Sequence, residues 1–189
     1  MKFKKFPKGT NHREIFVNTC ERIAEPLKEL GFKYRKSKND IIRKDHNFIY
    51  SIYFRPHTTY GSTTFWVHFR VESDELRKWR CCKYQNEKAK GVIIEKPLDY
   101  LTKKAIDHSQ HIVSTFIERE RVISEVISQI NDFAIPFFDR FQNVDLLIEE
   151  VIKEGFIAHR ISKWEIKEKT LGVGQNYDDF IDYFLKRDQ

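Results

Sequence analysis

Phe16, Cys20, Ile23, Leu27 and Leu30 recur at alternating spacings of four and three, which is one face of a helix. The helix is expected to start near Thr10 or Asn11, where Asn11 followed by Glu14 fits a capping box. Gly31 is the expected stop, because glycine tolerates the left-handed conformation that ends helices. Pro26 removes one internal hydrogen bond, so a kink or a restart is expected there.

After Gly31 the period changes to two. "FKYRKS" and "DIIRK" read as two short strands around a polar turn. "NFIYSIYFR" is a stronger strand, with Phe48, Tyr50, Ile52 and Phe54 on one face and Ile49, Ser51, Tyr53 and Arg55 on the other. "PHTTYGST" reads as a turn-rich connection. The returning strand "TTFWVHFRVE" then sets Phe65, Val67, Phe69 and Val71 against Thr64, Trp66, His68 and Arg70. An antiparallel meander is the simplest topology. The middle of the chain is read as strands at Trp79–Tyr84 and Val92–Glu95 around a polar loop from Asn86 to Gly91. A short helix from Asp74 to Trp79 is the alternative.

From Pro97 the pattern turns helical. Ile112, Phe116, Ile123, Ile127, Ile130, Ala134, Phe137 and Phe141 predict a long amphipathic helix kinked at Pro136. Asn143 can cap a further helix, with Leu147, Ile148, Val151 and Ile152 inside and Gly155 at its end. The tail suggests a strand in "AHRISKWEIKEK", a loop "GVGQN" and a last helix from Asp178 to Leu185.

Composition limits the class. At 189 residues the chain suits one sizeable core, and 16 Phe, 8 Tyr and 3 Trp supply it amply. Seven Gly and five Pro argue against a linker-rich or disordered chain. The net charge of +6 is a mild excess, gathered in "MKFKKFPK" and between Lys33 and Lys44, where it could meet phosphate or an acidic protein surface. Three cysteines do not make a disulfide framework, so a reducing, cytoplasmic setting is expected. The N-terminal stretch stays polar and does not read as a signal peptide, and no segment approaches the roughly 20 apolar residues of a membrane span.

The chemical motifs are weak. Adjacent Cys81 and Cys82 would point to opposite faces of a strand, which defeats joint ligation. His108 and His111 could share a metal on a helix, yet no third ligand stands near. Glu165 and Lys167 in "WEIKEK" match the strand half of a Mg²⁺-dependent nuclease site, without the aspartate that chemistry needs. "LGVGQN" lacks the third glycine and the lysine of a phosphate loop, and reads as a turn. No cofactor and no metal site is implied.

What remains is the mixed face of the two strong strands, where Tyr53, Arg55, Trp66, His68 and Arg70 would come together. Such a face suits a protein partner, since Trp, Tyr and Arg dominate contact energy. It also resembles single-stranded nucleic-acid platforms, in which rings stack on bases and arginine meets phosphate. Alternatively a helix covers it.

The helix ending "PLKELGF" (Pro26 to Phe32), the basic turn and aromatic strands after it, and "IPFFDRFQNVDLLIEEV" (Ile135 to Val151) together resemble a bacterial family of uncharacterised proteins, number 4304 in the domain-of-unknown-function series. The resemblance covers roughly Phe16 to Gly155. It implies a bacterial cytoplasmic protein of α+β fold, and brings no established activity and no catalytic residues.

The expected architecture is therefore α+β: an antiparallel sheet of four to six strands packed against an N-terminal helix and long C-terminal helices. Residues 1–155 would form one domain, and 156–189 an extension packed on it. The expected role is a non-enzymatic protein-binding module, adaptor- or immunity-like. Single-stranded nucleic-acid binding is the first alternative and a Mg²⁺-dependent nuclease the second.

Overall fold

The structure is a computed structural model, and it describes residues 6–7, 9–59, 62–102, 110–156 and 175–186. Helix α1 (His12–Ala24) starts at Asn11, whose side chain accepts the Arg13 N–H at 2.8 Å. Pro26 restarts the helix as a 3-10 turn over Glu25–Leu30, and Gly31 ends it at φ +81°. Strands β1 (Lys33–Arg35), β2 (Asp40–Lys44), β3 (Ile49–Thr59), β4 (Ser62–Glu72) and β5 (Val92–Pro97) form an antiparallel sheet in that order. A two-residue strand, β6 (His111–Ile112), pairs with the early part of β4.

Alternation along β3 and β4 divides the sheet into two faces. Ring contacts of the inner face join it to the helical layer: Phe16 of α1 meets Phe65 at 5.8 Å, and Phe138 and Phe137 of α4 (Ile135–Asp139) meet Tyr50 and Phe69 at 5.0 and 5.2 Å. These rings belong to one continuous core. Burying such a side chain is worth about 1.5–3 kcal/mol, so the core side of the sheet dominates stability.

Four expectations are corrected. Trp79–Tyr84 is not a strand: α2 runs from Asp74 to Lys83, because Ser73 caps it by accepting the Leu76 N–H and acidic Asp74 and Glu75 favour its first turn. Cys81 and Cys82 thus sit on a helix, one half-buried and the other exposed. Pro56 to Thr59 are not a loop but continue β3. Phe54 N–H donates to Asn39 O at 2.9 Å, so Pro56 takes the next position directed that way, beyond the end of β2. Among the described residues no strand pairs there, and the missing proline N–H costs nothing.

Pro97 does not open a helix either; it ends β5 and leads a 3-10 turn over Leu98–Leu101. Ile112 belongs to β6, and α3 (Phe116–Gln129) starts only at Thr115, which forms a capping box with Glu118. The kink near Pro136 is a π-turn over Ile130–Ala134 between α3 and α4, and it absorbs the missing donor.

Asn143 caps α5 (Val144–Glu154), and Gly155 ends it at φ +72°. The last helix, α6 (Gln175–Lys186), is fixed to α2 through the buried Asp179. That carboxylate accepts Arg80 Nε at 2.7 Å, Lys83 Nζ at 3.1 Å and the Tyr84 hydroxyl at 2.5 Å. Burial alone would raise the Asp179 pKa, but the three donors outweigh it and hold the carboxyl below its ordinary value. The suggested tail strand, the Gly172–Gly174 part of the "GVGQN" loop, His108, Glu165 and Lys167 lie outside the described residues, whereas Gln175 and Asn176 at the end of that stretch are not loop but the start of α6.

Candidate functional site on the outer face of the sheet

The β3–β4 register brings the five candidate residues together. Tyr53 stands opposite His68, Arg55 opposite Trp66 and Ser51 opposite Arg70, all on the face turned away from the helix contacts described above. β5 adds Glu95 opposite Arg70 and Pro97 opposite His68. On the other side, Asp40 of β2 stands opposite Tyr53 and Arg35 of β1 opposite Asp40.

Tyr53 is the centre of this group and is itself buried. Its ring stacks on the His68 imidazole at 5.0 Å, and the guanidinium carbons of Arg55 and Arg70 lie 5.3 and 5.1 Å from its centroid. Its hydroxyl donates to Glu95 Oε1 at 2.5 Å, and Arg55 Nη2 donates to the same oxygen at 3.2 Å. Burial and the Glu95 carboxylate push the Tyr53 phenol well above its ordinary pKa. Burial, and then the charge of Arg55, push the His68 pKa below its ordinary value, which favours the neutral imidazole. Further along the hairpin the His57 ring lies 5.2 Å from Trp66, with Arg55 and His57 exposed and Trp66 half-buried.

Glu95 was absent from the residues read as a site, although it ties Tyr53 to Arg55. Its place opposite Arg70 depends on β5 pairing with β4 in this register, which no local pattern specifies. Replacing Tyr53 with phenylalanine is expected to cost roughly 1.5–3 kcal/mol, the usual value of a hydrogen bond to a charged group. Urea unfolding would measure it, and an unchanged midpoint would show that the hydroxyl carries nothing.

The basic segment does not form one patch. Lys33, Arg35 and Lys44 share the outer face, where Arg35 is paired with Asp40, and Lys44 meets Asp74 at 3.0 Å. Arg43 turns to the inner face, over Phe32 and Tyr50, and reaches Asp139 at 3.4 Å. His111, in a strand rather than a helix, lies against Phe65 at 5.4 Å. Among the described residues, no three His, Cys, Asp or Glu side chains are placed to hold a metal ion, and no helix is long and apolar enough to cross a membrane.

The sequence profile of one family, described as Domain of unknown function (DUF4304), matches residues 23–140. The chain belongs to the DUF4304 family. All five candidate residues and Glu95 fall in the matched part, whereas α5 and α6 lie beyond it. No curated protein and no solved structure matches this DUF4304 chain.

Proposed function

We propose that this DUF4304 protein acts by binding a protein partner on the outer face of its sheet, around Arg55, His57 and Trp66. The observation that carries this reading is their placement. One indole, one imidazole and one guanidinium gather at the far end of a hairpin, on the face opposite the helix contacts. Tryptophan and arginine are the residues whose truncation most often costs an interface 2 kcal/mol or more, roughly 30-fold in affinity.

The nucleic-acid reading has less support. Tyr53, the ring expected to stack on a base, is already flanked by His68 and two guanidiniums, and the basic segment is divided between two faces. The nuclease reading rests on Glu165 and Lys167 and finds no support among the described residues.

A displayed library of random dodecapeptides, panned on the immobilised protein, tests the binding reading. Wild type is expected to enrich binders, and Arg55→Ala combined with Trp66→Ala to weaken them by about 10-fold or more at an unchanged thermal midpoint. No enrichment, unchanged affinity, or unfolding of the double variant would each overturn it.

A further inference from the structure

Arg70 carries an unmet demand at the middle of this face. Its side chain keeps only 25% of its exposure, and its Nε is shielded from solvent without a hydrogen-bond partner. The nearest carboxylate oxygens are those of Glu72, 3.6 Å from Nη1, and Glu95, 3.7 Å from Nε. Both are longer than the roughly 2.7–3.2 Å of an N–H···O bond, so neither accepts a proton from the guanidinium.

Glu95 is drawn elsewhere, because Tyr53 Oη and Arg55 Nη2 both donate to its Oε1. The Tyr53 ring lies against the guanidinium, and the residue opposite Arg70 is the small, buried Ser51. The planar guanidinium fork is thus held in place with a carboxylate on either side and neither within hydrogen-bond length. A carboxylate matches that fork in shape and charge.

We infer that the partner presents an acidic side chain or a chain-terminal carboxylate that seats on Arg70. This rests on the protein-binding reading and gives it a chemistry. Trp66 and Arg70 lie on the same face of β4, four residues apart, which is roughly 13 Å in a strand. The ligand segment is therefore extended, with a large apolar residue over Trp66 and a carboxylate about four positions away.

A polypeptide suits this site better than a polynucleotide. Glu72 and Glu95 flank Arg70, so a backbone with a charge at every residue would set neighbouring phosphates against them. A peptide can bring one carboxylate between uncharged neighbours.

The same dodecapeptide library supplies the probe, with labelled oligo-dT of twelve residues as the comparison. Enriched peptides are expected to share an Asp, a Glu or a free C-terminus about four residues from a large apolar side chain. Changing that acid to its amide is expected to weaken binding about 10-fold. Arg70→Gln is expected to do the same, and Arg70→Lys to fall between, because it keeps the charge and loses the fork. Thermal midpoints check the variants; if Arg70→Gln fails to fold, Arg70→Lys and the amide peptide carry the test.

Enriched peptides that lack an acid yet still need Trp66 would overturn this inference and leave the binding reading standing. No enrichment would remove both. Oligo-dT bound more tightly than the peptides, and released by Arg70→Gln, would replace the peptide with nucleic acid.

Discussion

Arg80→Ala is expected to cost about 3–5 kcal/mol of folding stability, the usual penalty for removing one partner of a buried ion pair. The side chains of Arg80 and Asp179 keep only 5% and 2% of their exposure. Arg80 also donates through Nη1 to the carbonyls of Lys90 and Val92, at 2.9 and 2.7 Å, so it joins α2, the approach to β5 and α6 at one point. Alanine would leave the Asp179 carboxylate buried beside only Lys83 and Tyr84. Chemical denaturation measures the loss, and amide exchange across 178–186 shows whether α6 opens before the sheet does.

Two comparisons separate a buried pair from a general charge effect. Lys83 is more exposed than Arg80, and Lys83→Ala is expected to cost less, about 1.5–3 kcal/mol, as the loss of one hydrogen bond to a charged group does. Arg80→Met combined with Asp179→Leu is expected to recover most of the stability, since neither desolvated charge remains. The folded Asp179 pKa lies below its unfolded value of about 3.9. Its contribution is therefore complete above that value and is lost as pH falls through the folded pKa. An Arg80→Ala protein within 1 kcal/mol of wild type, on the scale of surface pairs, would show that the pair is dispensable.

Gly91→Ala is expected to be at least as damaging, for a steric reason. A Cβ at Gly91 would lie 2.0 Å from the Ser73 carbonyl oxygen, 3.0 Å from its carbon and 3.1 Å from Arg77 Cβ. The obstacle is mostly backbone, and that backbone is committed. Ser73 caps α2 and donates its N–H to Gly91 O at 2.9 Å, while the Lys90 and Val92 carbonyls on either side are held by Arg80.

Relief would need β5 and the start of α2 to separate. We expect a loss of about 3 kcal/mol or more, or roughly 6–12 °C in thermal midpoint for a chain of this length. Gly31→Ala is the comparison: its φ of +81° strains any side chain, but the nearest atom is Arg43 Cδ at 3.8 Å, so about 1–2 kcal/mol is expected. A Gly91→Ala midpoint equal to that of Gly31→Ala would refute the steric account.

The legible parts of the sequence are those where one local pattern had one physical solution. Strict alternation from Phe48 to Arg55 and from Phe65 to Val71 fixed two strands and their core sides. Their antiparallel register then brought Tyr53 to His68 and Arg55 to Trp66. Asn11, Gly31, Asn143 and Gly155 marked helix ends through their own side chain or backbone.

Other features were set by distant contacts. Ile112 lies four residues before Phe116 and continues a helical spacing, yet pairing with Thr64 makes it a strand. The Trp79–Tyr84 stretch reads by itself as a strand, and the Ser73 cap with its acidic first turn, upstream of it, makes it the end of a helix. Glu95 gave no local sign, because its role exists only once β5 lies beside β4.

Pro56 has a bearing on how copies of this protein meet one another. An unpaired strand border invites another strand, and chains joined that way propagate into aggregates. Where β3 runs past β2, alternate positions direct their N–H groups outward, and the first of these is a residue with none to offer. The hairpin can extend an aromatic, arginine-bearing face without offering its border as a template for polymerisation.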